Sequence, residues 1–510
     1  LKKDRSGMNH TEGILEAIHR VRRAQFLWQQ TSLKDRAERI SRFANAVVEH
    51  RKALSDEIHY PSRSGYLETI SAELIPLAQT AHWLGTCASR ILRPRKTSRF
   101  STPMWLGSLD SQIQRVPRGV VLILGTWNYP IFLTGAQLLH ALVAGNGVII
   151  KPAPGCEEVT SKLAQMCLEC GIPEDLIGVI GSSVQDGKSA MELGVDHVVM
   201  TGSSRSGRLV LQQSIANLCS STLELSGSDG VIVLPSADLE RVTKLLRFGL
   251  RINGGATCIA PRRILVPESM LGSFTRMLKE ELSQPQGEPW STWITSASYE
   301  QLKPLVQTAL SQGARMLVDW QCNPELGKTL DYPQPQTRWI PSGPVVLENV
   351  TPQMDLYGLD VFAPLMTIVA VRDIEQAIEY NDRCRYGLCV SIFGKHQQAA
   401  QLATRIRAGS VLLNDLIVPT ADPRLPFGGR GESGFGVTRG EEGLLEMTIP
   451  RVISSRRGKW LPHSDLPQPR DEQLLDSLLQ FQHSASWSKR MQGLKKLFAS
   501  FRSNSNQKNE

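Results

Sequence analysis

Between about residues 11 and 90, apolar residues recur every three or four positions with charges between them. GILEAIHRVRRAQFLWQQ and LKDRAERISRFANAVVEH are the clearest stretches, and their spacing predicts helices. From 111 the texture changes. SQIQRV alternates, and GVVLILG (119–125) is too continuously apolar for a one-sided sheet, which predicts a strand buried on both faces. Short β-rich runs then alternate with helix-length amphipathic stretches. GVII (147–150) precedes a helix near 157–170, LIGVI (176–180) a helix around 187–193, and DHVVMTG (196–202) the stretch SRSGRLVLQQSIANL. Such alternation predicts a parallel sheet with crossover helices, the doubly wound α/β class. A second block of the same kind covers about 226–414, through GVIVL, a helix at 237–250, RRILV, LMTIVAV, CVSIFG and GSVLLN. The segment 284–345, rich in Pro, Gln and Trp, reads as loop-heavy. After TIPRVI (448–453) the chain turns polar, with prolines at 462, 467 and 469, and reads as a linker and tail.

A length of 510 residues excludes a single small binding module. No apolar run of about 18 residues is free of charge, so a membrane-spanning chain is not expected, and the first residues lack the apolar stretch of a secretory signal. The net charge of +8 sits at the ends: the first 25 residues carry +3 and the last 60 carry +6, leaving −1 over the 425 between them. A near-neutral body with basic ends lacks the basic face of a nucleic-acid reader, so no nucleic-acid partner is expected. Nine scattered cysteines, an odd number, point to free thiols in a reducing compartment.

Several chemical motifs fail. GSSVQDGKS (181–189) has five residues between Gly181 and Gly187 where a phosphate-binding P-loop needs four. HExxH, GxSxG and paired CxxC motifs are missing, which removes support for zinc and α/β-hydrolase chemistry. Cys167 and Cys170 lie in an amphipathic helix and read as core thiols rather than a redox pair. Other segments fit together. VPRGVVLILGTWNYP (116–130) carries Asn128 just past a buried strand, where open α/β sheets bind ligands and where a side-chain amide can donate to an oxyanion. Read singly, it is more often an ordinary turn residue. Lys151 ends another strand in GNGVIIKPAP and can reach ribose hydroxyls or phosphate, or simply be solvated. TGSSRSG (201–207) is a small-residue turn opening a helix, suited to an anion. Glu224 stands in the apolar LELSGSDG (223–230), where an unpaired carboxylate is costly and a raised pKa would suit a water-activating base. Cys258 lies among small residues in NGGATCIAP, accessible as a nucleophile, though a lone turn cysteine is more often inert.

Taken together and in this order, the segments resemble the aldehyde dehydrogenase superfamily over about residues 11–453. GTWNYP, Lys151-Pro152, Gly202 to Gly207, the Glu-Leu-Ser-Gly run at 224–227 and ATC at 256–258 match its elements. LDVFAP (359–364), NDRCRYGL (381–388), AGSVLLN (408–414) and PFGGRGESGFG (426–436) follow in family order. The shorter N-terminal region resembles the class 3 branch, which acts on medium- and long-chain aliphatic or aromatic aldehydes. The resemblance implies a Rossmann-like cofactor domain, a second α/β catalytic domain and a small β oligomerisation element. On that division, 1–225 holds the N-terminal helices and the NAD(P)-binding domain. Residues 226–414 form the catalytic domain, and 415–453 return to the cofactor domain and the oligomerisation element, which includes strand 111–116. Residues 454–510 form a polar, basic tail. It further implies Cys258 as nucleophile, Asn128 and the Cys258 N–H as oxyanion donors, and Glu224 as the base that hydrolyses the thioester. Thr126, Trp127, Lys151, Gly202, Ser203, Gly207, Asp360 and Phe362 are implied as cofactor contacts, with NAD or NADP as cofactor, a homodimer as assembly and no metal.

This sequence also departs from the family pattern. Pro154 replaces the ribose-binding Glu, which removes a repulsion against a 2′-phosphate and favours NADP more than usual, with Arg205 and Lys188 as candidate phosphate partners. Ser226 and Ser228 replace Gly and Lys beside Glu224. Asp360 is one methylene shorter than the usual Glu, and Ala363 replaces Gly. In WSKRMQGLKKLFASFR (487–502), Trp487, Met491, Leu494, Leu497, Phe498 and Phe501 fall at helical spacing opposite Lys and Arg, as in a helix that lies on an anionic membrane or packs on a partner or on its own chain. The expected protein is cytoplasmic, or peripheral on the inner membrane face, and oxidises a hydrophobic aldehyde to its acid. A coenzyme A-dependent acyl reductase and a catalytically silent scaffold of the same fold are the rivals.

Overall fold

The computed structural model describes residues 10–98, 102, 106, 109–283, 291–318, 320–330, 337–456, 462–464, 466 and 468–506. It divides into two compact units. One comprises residues 1–95 and 113–452, the other 96–112 and 453–510.

In the larger unit the N-terminal periodicity becomes α1 (His10–Trp28), α2 (Leu33–Ser55) and α3 (Ile75–Ile91), with a helical approach to α3 from Tyr66. The apolar stripe of α2 (Ala37, Ile40, Phe43, Val47 and Leu54) is buried, which gives this amphipathic helix its stability. The first sheet contains β1 (Val120–Leu124), β2 (Gly147–Lys151), β3 (Ile177–Val179), β4 (His197–Gly202) and β5 (Ser220–Leu225), with a short strand at Gly434–Phe435. Its spatial order is 434–435, β5, β4, β1, β2, β3; pairs among β1–β5 are parallel and the 434–435 pair is antiparallel. From β1 the chain builds outward through β2 and β3, then returns to add β4 and β5 on the other side. The order therefore reverses between β1 and β4, and the crevice beyond their carboxyl ends is where such sheets hold ligands.

All five residues of β1 are buried, as its unbroken apolar run requires. Crossovers are made by α4 (Phe132–Ala144), α5 (Glu157–Glu169), α6 (Val184–Glu192) and α7 (Ser204–Ser214). α4 is apolar nearly all round, and every one of its residues is buried.

The second sheet contains β6 (Asp229–Val233) and β7 (Pro261–Pro267), preceded by α8 (Leu239–Arg251). Seven strands lie in the order 315–318, 345–348, 365–371, β7, β6, 389–393, 410–413, all parallel except the first pair. The described residues of 284–345 are not loop-heavy. They hold the helix Ser296–Ser311 and strands at Thr292–Thr295 and Thr337–Ser342. That helix buries Leu302, Val306 and Ala309 at three- and four-residue spacing, which outweighs the Pro304 inside it. The Pro-rich runs at 284–290 and 331–336 lie outside the described residues.

Arg95–Lys96, Leu109–Pro117 and Thr448–Arg456 form a three-stranded sheet in that order. In the smaller unit the expected linker is in part a helix, Pro469–His483, with Pro at its first turn and a capping box between Gln468 and Asp471. It packs against the helix Trp487–Asn506 as a hairpin that buries Leu478 and Leu497, and Gly493 lies against the backbone of Ser477 and Phe481. The expected apolar stripe is thus divided. Leu497 packs inward, while Trp487 and Phe498 stay 74% and 62% exposed. The Phe501 side chain lies outside the described residues. No helix among the described residues is long and apolar enough to cross a membrane.

Candidate active site

One cleft of about 790 Å3 opens at the switch point, and Asn128, Glu224 and Cys258 all line it. They arrive from separate elements: Asn128 from the turn after β1, Glu224 from β5, and Cys258 from the turn before β7.

The turn carrying Cys258 needs its glycines. Asn253, Gly254 and Gly255 all have positive φ, at 50°, 58° and 75°. A Cβ on Gly255 would fall 2.5 Å from the Ala363 carbonyl oxygen, and one on Gly254 would fall 2.8 Å from Thr292 Oγ1. Arg262, fully buried, donates to Gly255 O and Ala363 O, both at 2.5 Å, and so ties the nucleophile turn to the 359–364 segment. Cys258 itself is only partly accessible. Burial pushes its thiol well above the usual range; Glu224 and Asp229 add to the rise, and Arg439 opposes it.

Asn128 is held from both ends. Its side-chain Oδ1 accepts from Thr126 Oγ1 at 2.8 Å, and Nδ2 donates to Ala256 O at 3.1 Å. One of the two amide protons remains for an incoming oxygen. Its main-chain carbonyl accepts from Tyr60 OH (2.7 Å), Arg63 Nη2 (2.7 Å) and Asn253 Nδ2 (2.9 Å). Arg63 also pairs with Glu73 at 2.5 Å in full burial, and the other oxygen of Glu73 accepts from the N–H groups of Ile131 and Phe132 at the start of α4. Glu68 accepts from Asn253 N at 2.6 Å. These residues of the N-terminal segment set the positions of two reactive groups, and sequence reading missed them. Their partners lie 10 to 185 residues away, so no local spacing reveals them.

Glu224 is buried, and burial raises its pKa against the opposing influence of Arg439 and a hydrogen bond from Thr438. Thr438 Oγ1 donates to Glu224 Oε2 at 2.8 Å. Gly434 pairs with Glu224 on the sheet edge. Ser226 and Ser228 do not turn the carboxylate away from the cleft. Ser226 N donates to Gly202 O while its side chain acts on Asp360, and Ser228 O accepts from Arg263 Nε at 2.9 Å. Thr438 and Arg439 were also missed; they follow the glycine-rich 426–436 run without any signal of their own.

The residues present fit a dinucleotide. β4 ends at Gly202, and Ser203 caps α7, its side chain accepting from Ser206 N at 3.2 Å, so the free N–H groups of that first turn face the crevice. Thr126, Trp127, Lys151, Gly202, Ser203, Asp360 and Phe362 line the cleft, as do Lys188 and Arg205. Lys151 Nζ donates to Ser182 O at 2.7 Å. Asp360 Oδ1 is buried with no partner among the described residues, an acceptor available to a ribose hydroxyl. Gly207 is different: it does not line the cleft. A Cβ there would lie 2.7 Å from Leu225 Cδ1, so this glycine lets α7 close on β5. Cys167 and Cys170 are buried free thiols with raised pKa, Cys170 up to about 11, consistent with inert core residues.

A profile of the Aldehyde dehydrogenase family matches residues 7–453. The chain belongs to the aldehyde dehydrogenase family. Its identity to the 4,4'-diapolycopene aldehyde oxidase of a Methylomonas species is 28% over 464 residues, 88% of this chain and 84% of that one. Among solved structures, the NAD-dependent aldehyde dehydrogenase of Sinorhizobium meliloti superposes with a TM-score of 0.78 at 22% identity, covering 89% of each chain. The NADP-dependent glyceraldehyde-3-phosphate dehydrogenase of Bacillus halodurans C-125, complexed with NADP, gives 0.76 at 26% identity, covering 88% of this chain and 92% of that one. This aldehyde dehydrogenase is accordingly an NAD(P)-dependent oxidoreductase, with the mixed α/β fold of its relatives.

Proposed function

We propose that the protein oxidises a hydrophobic aldehyde to its carboxylic acid through a thiohemiacetal and a thioester on Cys258. The observation that carries this reading is the meeting of Cys258, Glu224 and Asn128 in one cleft, beside a crevice suited to a dinucleotide. Burial and the neighbouring Glu224 raise the proton affinity of the Cys258 thiol, and Arg439 opposes the rise. The thiol releases its proton to solvent, and the thiolate is the nucleophile. The thiolate adds to the carbonyl carbon, and Asn128 Nδ2 with the Cys258 N–H receives the oxyanion, where a single donor is worth about 3–4 kcal/mol. Bound NAD(P) supplies the hydride acceptor. Glu224 then takes a proton from water, the hydroxide displaces Cys258 from the acyl group, and the acid leaves.

Trp127 and Phe362 support an apolar substrate. They line the cleft with ring centroids 5.9 Å apart, and Trp127 continues into Trp339 at 6.5 Å and Tyr60 at 6.0 Å. The class 3 resemblance points the same way. Pro154, with Lys188 and Arg205 in the lining, supports acceptance of NADP as well as NAD. Exposed Ile449 and Val452 on the outer strand Thr448–Arg456 support a homodimer, which sedimentation of the pure protein measures. The deciding assay is NAD(P)H formation from decanal, with and without coenzyme A. Turnover that needs Cys258 but not coenzyme A is expected. A requirement for coenzyme A favours the acyl reductase, and silence across a panel of aldehydes favours the scaffold.

A further inference from the structure

Glu224 also lines a second, much smaller cavity of about 10 Å3, together with His140 of α4 and Arg439. Each of these three residues is buried and keeps one polar atom without a partner among the described residues: Glu224 Oε1, His140 Nε2 and Arg439 Nε. Each residue is also anchored through another group. Glu224 Oε2 accepts from Thr438, and Arg439 Nη1 donates to Thr420 O. The Arg439 guanidinium is also held over the rings of Phe427 (4.5 Å) and Phe132 (5.3 Å). His140 Nδ1 lies 2.7 Å from Ala136 O, a contact that requires the proton on Nδ1 and leaves Nε2 as an acceptor. The cavity lining thus offers one donor and two acceptors. A water molecule that accepts once and donates twice satisfies all three, and the volume suits one water.

We propose that this cavity holds a single ordered water that accepts from Arg439 Nε and donates to Glu224 Oε1 and His140 Nε2, making His140 and Arg439 positioning residues for the general base. The inference rests on the reading of Glu224 as that base. With both carboxylate oxygens held, one by Thr438 and one by the water, Glu224 is fixed toward the cleft and its ionised form is favoured. The charged and titratable groups coupled to it are Arg439 and Cys258; Arg439 is the one coupled to His140. Burial, with Arg439 adding to the effect, pushes His140 down to about 4, so Nε2 remains an acceptor at neutral pH.

The test has two parts. A high-resolution crystal structure of the wild-type enzyme should show one water within hydrogen-bond distance of all three atoms; no water there overturns the proposal. Pre-steady-state traces then separate the NAD(P)H burst from the steady hydrolytic rate. In His140→Leu the burst should persist while hydrolysis slows about tenfold, a part of the ~10²–10⁴-fold that general-base catalysis contributes, and its acid limb should move to higher pH. His140→Gln keeps an acceptor and should restore the limb. An unmoved limb in His140→Leu, or identical behaviour of the two variants, overturns the positioning role. Glu224→Gln, measured alongside, tests the base itself: normal hydrolysis there would remove the base reading while leaving the crystallographic water to be judged separately.

Discussion

The protonation of Glu224 decides how the hydrolytic step responds to pH. Burial raises the pKa of Glu224, and its protonated form cannot activate water. Hydrolysis should therefore be lost as pH falls through a value above 4.5, the ordinary glutamate value, rather than at it. Steady-state rates from pH 4 to 9 check this: the limb should disappear in Glu224→Gln, which should retain only the burst. Asn128→Ala, which removes one oxyanion donor, should lower the acylation rate about 10²–10³-fold, read in the burst phase. Cys258→Ser should abolish both phases. These three side chains were legible in the sequence because each sits in a short segment with its own character: a strand-end turn, a carboxylate in an apolar run, a thiol among small residues. Thr438, Arg439 and His140 were not. Their roles come from neighbours brought together by folding, and a buried histidine on an apolar helix looks the same whether or not a base lies behind it.

At the scale of elements, strand and helix alternation was legible from 111 onward because fully buried parallel strands are apolar throughout, and little else in the chain is. The helix Ser296–Ser311 escaped notice because its flanks are rich in Pro and Gln, and composition was allowed to outweigh the spacing of Leu302, Val306 and Ala309. Pro469–His483 was hidden in the same way: its prolines mark a helix start, not a linker. The N-terminal helices were correctly anticipated as helices, but their work was not. Arg63 and Glu73 form a fully buried pair whose removal by halves strands a charge. Glu73→Gln should cost about 3–5 kcal/mol in chemical denaturation, and the surviving folded fraction should show a weakened burst, since Glu73 also anchors the start of α4.

For the whole molecule, the two sheets divide the labour. The six-stranded sheet offers the dinucleotide crevice and Glu224, and the turn entering the seven-stranded sheet brings the thiol. The smaller unit presents a different surface, with exposed Trp487 and Phe498 on a helix that also exposes Lys489, Lys495 and Lys496. The full chain should co-sediment with phosphatidylglycerol vesicles but not with phosphatidylcholine vesicles at low salt, and Trp487→Ser/Phe498→Ser should release it. Equal recovery with both vesicle types would point instead to a protein partner. One backbone oxygen, that of Asn128, carries a separate consequence. It is gripped at once by a tyrosine and an arginine from the first hundred residues and by an asparagine from the thiol's own turn. Taking away the tyrosine and arginine side chains would leave every reactive atom on the polypeptide but only the asparagine to seat that oxygen, so that dinucleotide capture should outlive turnover.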